Sequence, residues 1–228
     1  MGGSTKVIYT GKTKRLLTDG KRVVLQFKDD LTGDADGKID PGGNFIVGNI
    51  EGKGAASAKV TAFLFSQLAK AGIETHFRAL LSDTEIEVLQ AKMIPLEVIC
   101  RAKAYGSFLA RYRGHFKEMS PLDLVEFNLK DDALGDPLIT PHAVVKLGIA
   151  SAPELQQIET TTRKVTSIVS KALEARGLEL IDIKLEFGRI NGKLAVVDEI
   201  SGDTMRVYDL KQRRLLNQVK LAEKLGLT

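Results

Sequence analysis

The run at 180–188, Leu-Ile-Asp-Ile-Lys-Leu-Glu-Phe-Gly, constrains the fold of this chain more than any other stretch. Apolar and charged residues alternate with a period of two, so Asp182, Lys184 and Glu186 share one face of a strand. Ile181, Ile183, Leu185 and Phe187 share the other. Asn191-Gly192 separates this run from a second one, Leu194-Ala195-Val196-Val197, which ends in Asp198-Glu199. Both turn residues tolerate positive φ, which marks a hairpin. A plain two-residue turn sets residue 197 opposite Glu186 and leaves Asp198 on the apolar face. A three-residue loop over 190–192, with Gly192 as a left-handed bulge residue, moves Asp198 to the charged face, and this is the expected geometry. Three carboxylates and one ammonium on one sheet face suit magnesium and a polyphosphate. A solvated face of an antiparallel sheet is the competing interpretation.

With 228 residues, 43% of them hydrophobic and 27% charged, the chain can bury a full core as one domain or as two closely packed lobes. Its 33 basic and 29 acidic residues leave a formal charge of only +4, and the basic residues are scattered without interleaved aromatics. That pattern favours an anionic small ligand over nucleic acid. No apolar run reaches the length of a membrane span, and Met1-Gly2-Gly3-Ser4-Thr5-Lys6 has no apolar signal core, so a cytosolic protein with no membrane partner is expected. Cys100, alone in an apolar run, reads as a buried small hydrophobe. His76, His115 and His142 lack ligand spacing, which argues against a histidine metal site.

Along the chain, Gly11-Lys12-Thr13-Lys14 forms a turn between strands, where two ammonium groups near backbone amides could cradle phosphate. Asp19-Gly20 marks a hairpin between strands at 15–18 and 23–27. Residues 29–49, rich in Gly and Asp, read as a long loop. A helix is expected over 54–71, then strands at 73–77 and 85–89. A strand opens at Ile94-Pro95, interrupted by Glu97 and Arg101, and leads to a short helix over 108–113 whose preceding Ser107 could cap it or hold a phosphate. A strand at 124–129 and a capped helix from Ser151 to about residue 176 follow. Residues 210–225 read as a terminal helix.

In this order and spacing the chain resembles the SAICAR synthetase family, ATP-dependent ligases of purine biosynthesis. The resemblance rests on Gly11-Lys12-Thr13-Lys14, the runs at 94–107 and 180–188, and Asp198-Glu199-Ile200-Ser201 continuing to Arg206-Val207-Tyr208-Asp209. It implies an α+β, two-lobed ATP-grasp-like fold with antiparallel sheets and nucleotide between the lobes, divided into 1–92 and 93–228. It implies a reaction joining L-aspartate to carboxyaminoimidazole ribotide at the expense of ATP, through an acyl phosphate. Carried over by position, Lys12, Thr13, Lys14, Met93, Lys130, Glu186 and Asp198 would hold ATP, with Glu186 and Asp198 also on Mg2+. Glu97, Arg101, Ser107, Asp182, Lys184, Asp203 and Arg206 would line the ribotide site, with Glu97, Asp182 and Lys184 nearest the chemistry. A homodimer stays an open option. Two positions depart from the family pattern: Tyr105 stands where a small residue is usual, and Gly202 where proline is usual. A kinase or another ATP-grasp-like ligase would share the lysines and carboxylates without needing the 97–107 run. A non-catalytic binder would show a concentrated basic face, which this sequence lacks.

Overall fold

A computed structural model describes residues 6–227, so Met1 to Thr5 of the N-terminal segment discussed above lie outside the described residues. Five antiparallel strands form the first sheet: β1 (Lys6–Thr10), β2 (Lys14–Thr18), β3 (Val23–Phe27), β6 (Phe77–Ser82) and β7 (Glu85–Val88), in the order β1-β2-β3-β7-β6. Between β3 and β6 the chain makes a separate hairpin, β4 (Asp30–Gly33) with β5 (Phe45–Asn49), and the long helix α1 (Lys53–Lys70).

The second sheet is built on β10 (Leu178–Ile190). One edge of β10 pairs with β8 (Lys92–Lys103), which in turn pairs with β9 (Pro121–Leu129). The other edge is shared by β12 (Met205–Asp209) along its first half and β11 (Lys193–Val197) along its second. A bulge between Leu180 and Asp182, opposite Val207 and Arg206, shifts the parity of β10. Leu178 and Leu180 therefore join the same core as Ile183, Leu185 and Phe187.

The alternation on β8 and β10 puts Ile94, Leu96, Val98, Cys100, Ile183, Leu185 and Phe187 on one buried face. The helix α4 (Ala152–Glu174) lies across that face with Ile158, Val165, Val169 and Leu173 inward. Its start is set by Ser151, whose Oγ accepts from the Glu154 amide at 3.3 Å, with Pro153 in the first turn. The last helix, α5 (Gln218–Leu225), packs on α1 and adds Leu221, Ala222 and Leu225 to the core. Ala58 of α1 meets Leu25, Phe27, Ile86 and Val88 of the first sheet, while Val60, Leu64, Phe65 and Leu68 of the same helix enter the larger core. One helix thus serves both sheets. Two short helices, α2 (Ser107–Arg111) and α3 (Pro141–Lys146), complete the fold.

Four expectations change. The bulge loop at 190–192 is absent: Ile190 pairs directly with Lys193 across a two-residue turn with Asn191 at φ 50° and Gly192 at φ 78°. Two positive φ values match the natural twist of a hairpin, so the shorter turn wins. The stretch 29–49 is a hairpin with a long tip, folded by Asp34, whose Oδ1 accepts from the amides of Asp36 (3.0 Å) and Lys38 (2.9 Å). Residues 73–76 form an extended link instead of the expected strand, which falls at 77–82. The terminal helix starts at 218 and not at 210. Asp209 Oδ1 accepts from the amides of Lys211 (2.9 Å) and Gln212 (2.8 Å), turning the chain into β13 (Arg214–Leu215) before a helix can begin. Asn217 then caps α5 through the Lys220 amide at 2.9 Å.

Candidate active site

Strand register assembles the first half of the site. Asp182 lies opposite Arg101 of β8 on one side and Arg206 of β12 on the other, so two guanidinium groups converge on one carboxylate. Arg206 Nη1 donates to Asp182 Oδ2 at 2.5 Å and Arg101 Nη1 to the same oxygen at 3.4 Å. Arg101 is almost wholly buried and fully engaged: Nε donates to Glu126 at 2.5 Å and Nη2 to the Ser107 hydroxyl at 3.1 Å. Two residues along β10, Lys184 Nζ donates to Glu97 at 2.5 Å. Burial alone would lower the Lys184 pKa, but the Glu97 and Glu186 charges more than offset it, so Lys184 is a fixed positive charge and not a base.

The tip of the β4–β5 hairpin roofs this face. Asp40 pairs with Arg206, and Gly42, at φ 74°, stands where an added Cβ would lie 3.3 Å from Lys184 Nζ. Below, Gly106 at φ 53° leaves room for the Arg206 guanidinium, which a Cβ would approach to 3.1 Å. The cleft between them is open on one side, has a volume of about 510 Å³ and is lined by Asp40, Gly42, Glu97, Arg101, Ser107, Asp182, Lys184 and Arg206, among others.

The second half gathers at the far end of β10 from separate segments. Lys130, from the loop after β9, pairs with Glu186. Lys14, opening β2, places Nζ 2.7 Å from Asp198 and 2.5 Å from Glu199. Val197 is the residue opposite Glu186, so the ladder by itself leaves Asp198 facing the wrong way. Asp198 turns back through a left-handed backbone, φ 62°, which an aspartate tolerates better than most residues at a cost of order 1 kcal/mol. Its carbonyl accepts from His76 Nε2 at 2.8 Å. Burial pushes the His76 pKa down to about 4, so the ring is neutral.

Burial would raise the Asp198 pKa, yet the Lys14 and Lys130 charges hold it down to about 2. Burial and the neighbouring Asp198 charge push Glu186 above the usual carboxylate range, against Lys130 and Lys184. Burial would lower Lys14, but Asp198 and Glu199 hold it above the ordinary lysine range. Two carboxylates that repel each other, Glu186 buried and Asp198 partly exposed, are hard oxygen donors suited to Mg2+, which uses one or two protein carboxylates and completes its shell with water and substrate phosphate. No three His, Cys, Asp or Glu side chains among the described residues are grouped to hold a metal ion. At the margin, Lys12 Nζ donates to Asn44 at 2.9 Å and lies 3.0 Å from Asp132, Thr13 is buried, and Met93 is half exposed opposite Gly188. In this turn the Gly11 amide donates to the Lys14 carbonyl at 2.8 Å.

Residues 7–223 match the family model described as SAICAR synthetase. A phosphoribosylaminoimidazole-succinocarboxamide synthase of Clostridium tetani is 44% identical over 214 residues, covering 89% of this chain and 92% of that relative. The chain belongs to the SAICAR synthetase family. A second family member, from Chloroherpeton thalassium, is 40% identical over 222 residues, or 96% of this chain and 91% of that one. Among solved members, the Ehrlichia chaffeensis synthase superposes with a TM-score of 0.89 at 28% identity, covering 98% of this chain and 99% of that one. A SAICAR synthetase solved in complex with ADP gives 0.82 at 34% identity, with coverage of 95% and 89%. The antiparallel sheets described above are therefore those of the SAICAR synthetase fold.

Most residues singled out by the family resemblance lie in the two clusters, but Asp203 does not. Its carboxylate is buried against Lys53 (2.5 Å), the Ser57 hydroxyl (2.9 Å) and Gln218 Nε2 (2.9 Å), where it ties α1 and α5 to the loop before β12. Gly202, the departure beside it, admits Gln218: a Cβ there would come within 2.8 Å of Gln218 Cγ. Tyr105, the other departure, sets its ring 5.7 Å from the Arg206 guanidinium carbon, a cation–π contact. Sequence reasoning missed Asp40, Gly42, Glu126, Arg111 and His76. The Gly- and Asp-rich composition of 33–43 was the available signal for the first two. Glu126, which accepts from both Arg101 and Arg111, had none beyond interrupting an apolar run.

Proposed function

We propose that the protein is an ATP-dependent carbon–nitrogen ligase that joins L-aspartate to carboxyaminoimidazole ribotide, giving the succinocarboxamide ribotide, ADP and phosphate. The observation that carries this is the arrangement along one strand. The Asp182 cluster and the Glu186 cluster are four residues apart on one face of β10, roughly 13 Å by strand rise, with Lys184 and Glu97 between them. The ribotide occupies the roofed cleft with its phosphate on Arg206, the better exposed of the two arginines at Asp182, and Ser107 nearby. ATP lies over the Glu186 end, between lobes 1–92 and 93–228, with Lys12, Lys14 and Lys130 on its phosphates, Thr13 in the turn and Met93 beside the base. Mg2+ held by Glu186 and Asp198 supplies charge neutralisation at the phosphates.

A carboxylate is a poor electrophile, so the ribotide carboxylate oxygen first attacks the γ-phosphorus, forming its O–P bond as the bond to ADP breaks. The aspartate amine then attacks the acyl carbon; the C–N bond forms, the C–O bond breaks, phosphate leaves and the amine gives up a proton. What the chain contributes is placement and fixed charge. Lys184, held protonated by Glu97, stands where the two substrates meet and balances the charge moving between them. Every group named comes from one chain. No helix among the described residues is long and apolar enough to cross a membrane, and a cytosolic enzyme is the matching proposal.

The test is substrate dependence with an isotopic label. Sustained ADP formation is expected only with ATP, Mg2+, carboxyaminoimidazole ribotide and aspartate together, with 18O from the ribotide carboxylate appearing in released phosphate. ADP formation without aspartate would indicate a kinase, no ADP a binder, and unlabelled phosphate a direct ligation that bypasses the acyl phosphate.

A further inference from the structure

His76 takes no part in the chemistry above, yet it is buried and joins the two sheets beside Asp198, whose backbone is left-handed. It sits in the extended link after α1. Its amide donates to the Val196 carbonyl at 3.1 Å, and the Val196 amide donates to Glu74 at 3.0 Å, a short parallel pairing that fastens this link to β11. Its own carbonyl accepts from the Leu89 amide at 2.7 Å, tying it back to the end of β7. The imidazole is packed edge-on to Phe65 at 5.7 Å, with an interplanar angle of 86°, which leaves little freedom to rotate. Nε2 points at the Asp198 carbonyl, 2.8 Å away. A carbonyl can only accept, so Nε2 carries the proton and the ring is fixed as that tautomer.

We infer that His76 is a positioning residue that pins Asp198 in its left-handed conformation and so aims the carboxylate at the Lys14 and Glu186 side of the site. This rests on the proposal that Asp198 holds the metal–nucleotide. Without the pin, Asp198 at φ 62° would relax toward the β-strand geometry of the preceding residues, and strand parity would then carry its carboxylate away from Glu186. The pin also links occupancy of the Glu186 end to docking of the first sheet, since His76 is held by β7 as well as by β11. Partners that orient a ligand without touching the metal typically matter at the 10- to 100-fold level.

Two exchanges separate this role from simple packing. His76→Phe keeps an aromatic ring against Phe65 and loses the donor; His76→Gln loses the ring and keeps an N–H at nearly the same reach. Calorimetry of ADP binding in the presence and absence of Mg2+ is the readout, with Asp198→Asn as reference. The Mg2+-dependent gain in ADP affinity should fall about 10-fold in His76→Phe and stay within about threefold of wild type in His76→Gln. The reverse order, with Gln impaired and Phe normal, assigns His76 to packing and overturns the inference. If Asp198→Asn itself binds Mg2+ and ADP like wild type, the metal assignment fails and not merely the role of His76. Should His76→Phe not fold, long-range 1H–15N correlation of the three histidines in the wild-type protein decides. The Nε2–H tautomer at His76 is expected, and an Nδ1–H tautomer would overturn the proposal.

Discussion

The two ends of β10 are built in opposite ways. At Asp182 every partner is delivered by the sheet itself, Arg101 from β8 and Arg206 from β12, and the groups are deeply buried. At Glu186 the partners come from the loop after β9, the residue beyond β11 and a strand of the other sheet, and Lys130 remains 40% exposed. A cluster held by the hydrogen-bond ladder is pre-organised but also structural: its two guanidinium groups share one buried carboxylate, and removing that carboxylate leaves them facing each other. A cluster assembled from loops can lose a member and rehydrate, so it is free to be spent on ligand. The difference predicts which substitutions cost activity and which cost folding.

The largest effect is expected at the loop-built end. Glu186→Gln and Asp198→Asn should each lower turnover on the order of a thousandfold, the scale of losing a preorganised charge, while the melting temperature moves little. Near-normal turnover at saturating Mg2+ in both would remove the basis of the comparison. Asp182→Asn should do the reverse in kind: with Arg101 and Arg206 left facing each other in a buried site, unfolding by urea should show a loss of about 3 kcal/mol. A stable Asp182→Asn protein would mean that Glu126 and Asp40 alone hold the two guanidinium groups in place.

Arg206→Lys sharpens the contrast further. It keeps the charge but removes the planar fork that reaches Asp182 and Asp40 together, so ribotide affinity should weaken by about 1–3 kcal/mol with ADP affinity unchanged. The smallest effect belongs to a surface pair just past the Glu186 end, where Arg189 makes two bonds to Glu154 in the first turn of α4, at 2.7 and 2.6 Å. That contact holds the Glu154 pKa below its ordinary value of 4.5. Its stabilisation is therefore complete above the ordinary value and lost as pH falls through the lowered one. Glu154→Gln should cost at most about 1 kcal/mol near neutrality, and chemical denaturation should show the gap to wild type closing in acid.

The same division decides what could be read from the sequence. The face of β10 carrying Asp182, Lys184 and Glu186 follows from a period of two, and the start of α4 follows from Ser151 and Pro153; both depend on neighbours within a few residues. Asp198 was expected beside Glu186 and is there, but for a different reason. Strand parity alone requires an extra loop residue, whereas the chain uses a two-residue turn and then a single left-handed aspartate, a choice made by tertiary contacts such as His76. The hairpin at 30–49 was hidden because Gly and Asp residues that fold its long tip look the same as those of an open loop. Asp203 shows the converse limit. Its motif placed it near the ribotide, and only the burial of Lys53 and Gln218 around it reveals a load-sharing tie between helices.

The packing of α1 on α5 has a consequence for how the protein is made. Residues 70 and 218 are separated by 148 positions, so a ribosome adding about 5–20 residues per second finishes the partner of α1 roughly 7–30 s after α1 itself emerges. During that interval Val60, Leu64, Phe65 and Leu68 have no C-terminal helix to close over them, and Lys53 has no Asp203. The nascent chain therefore presents an apolar stripe with a charged residue at its head throughout that interval, a ready target for holding chaperones. Completion of the core waits for α5, and the contact of Lys14 with Asp198 waits for β11.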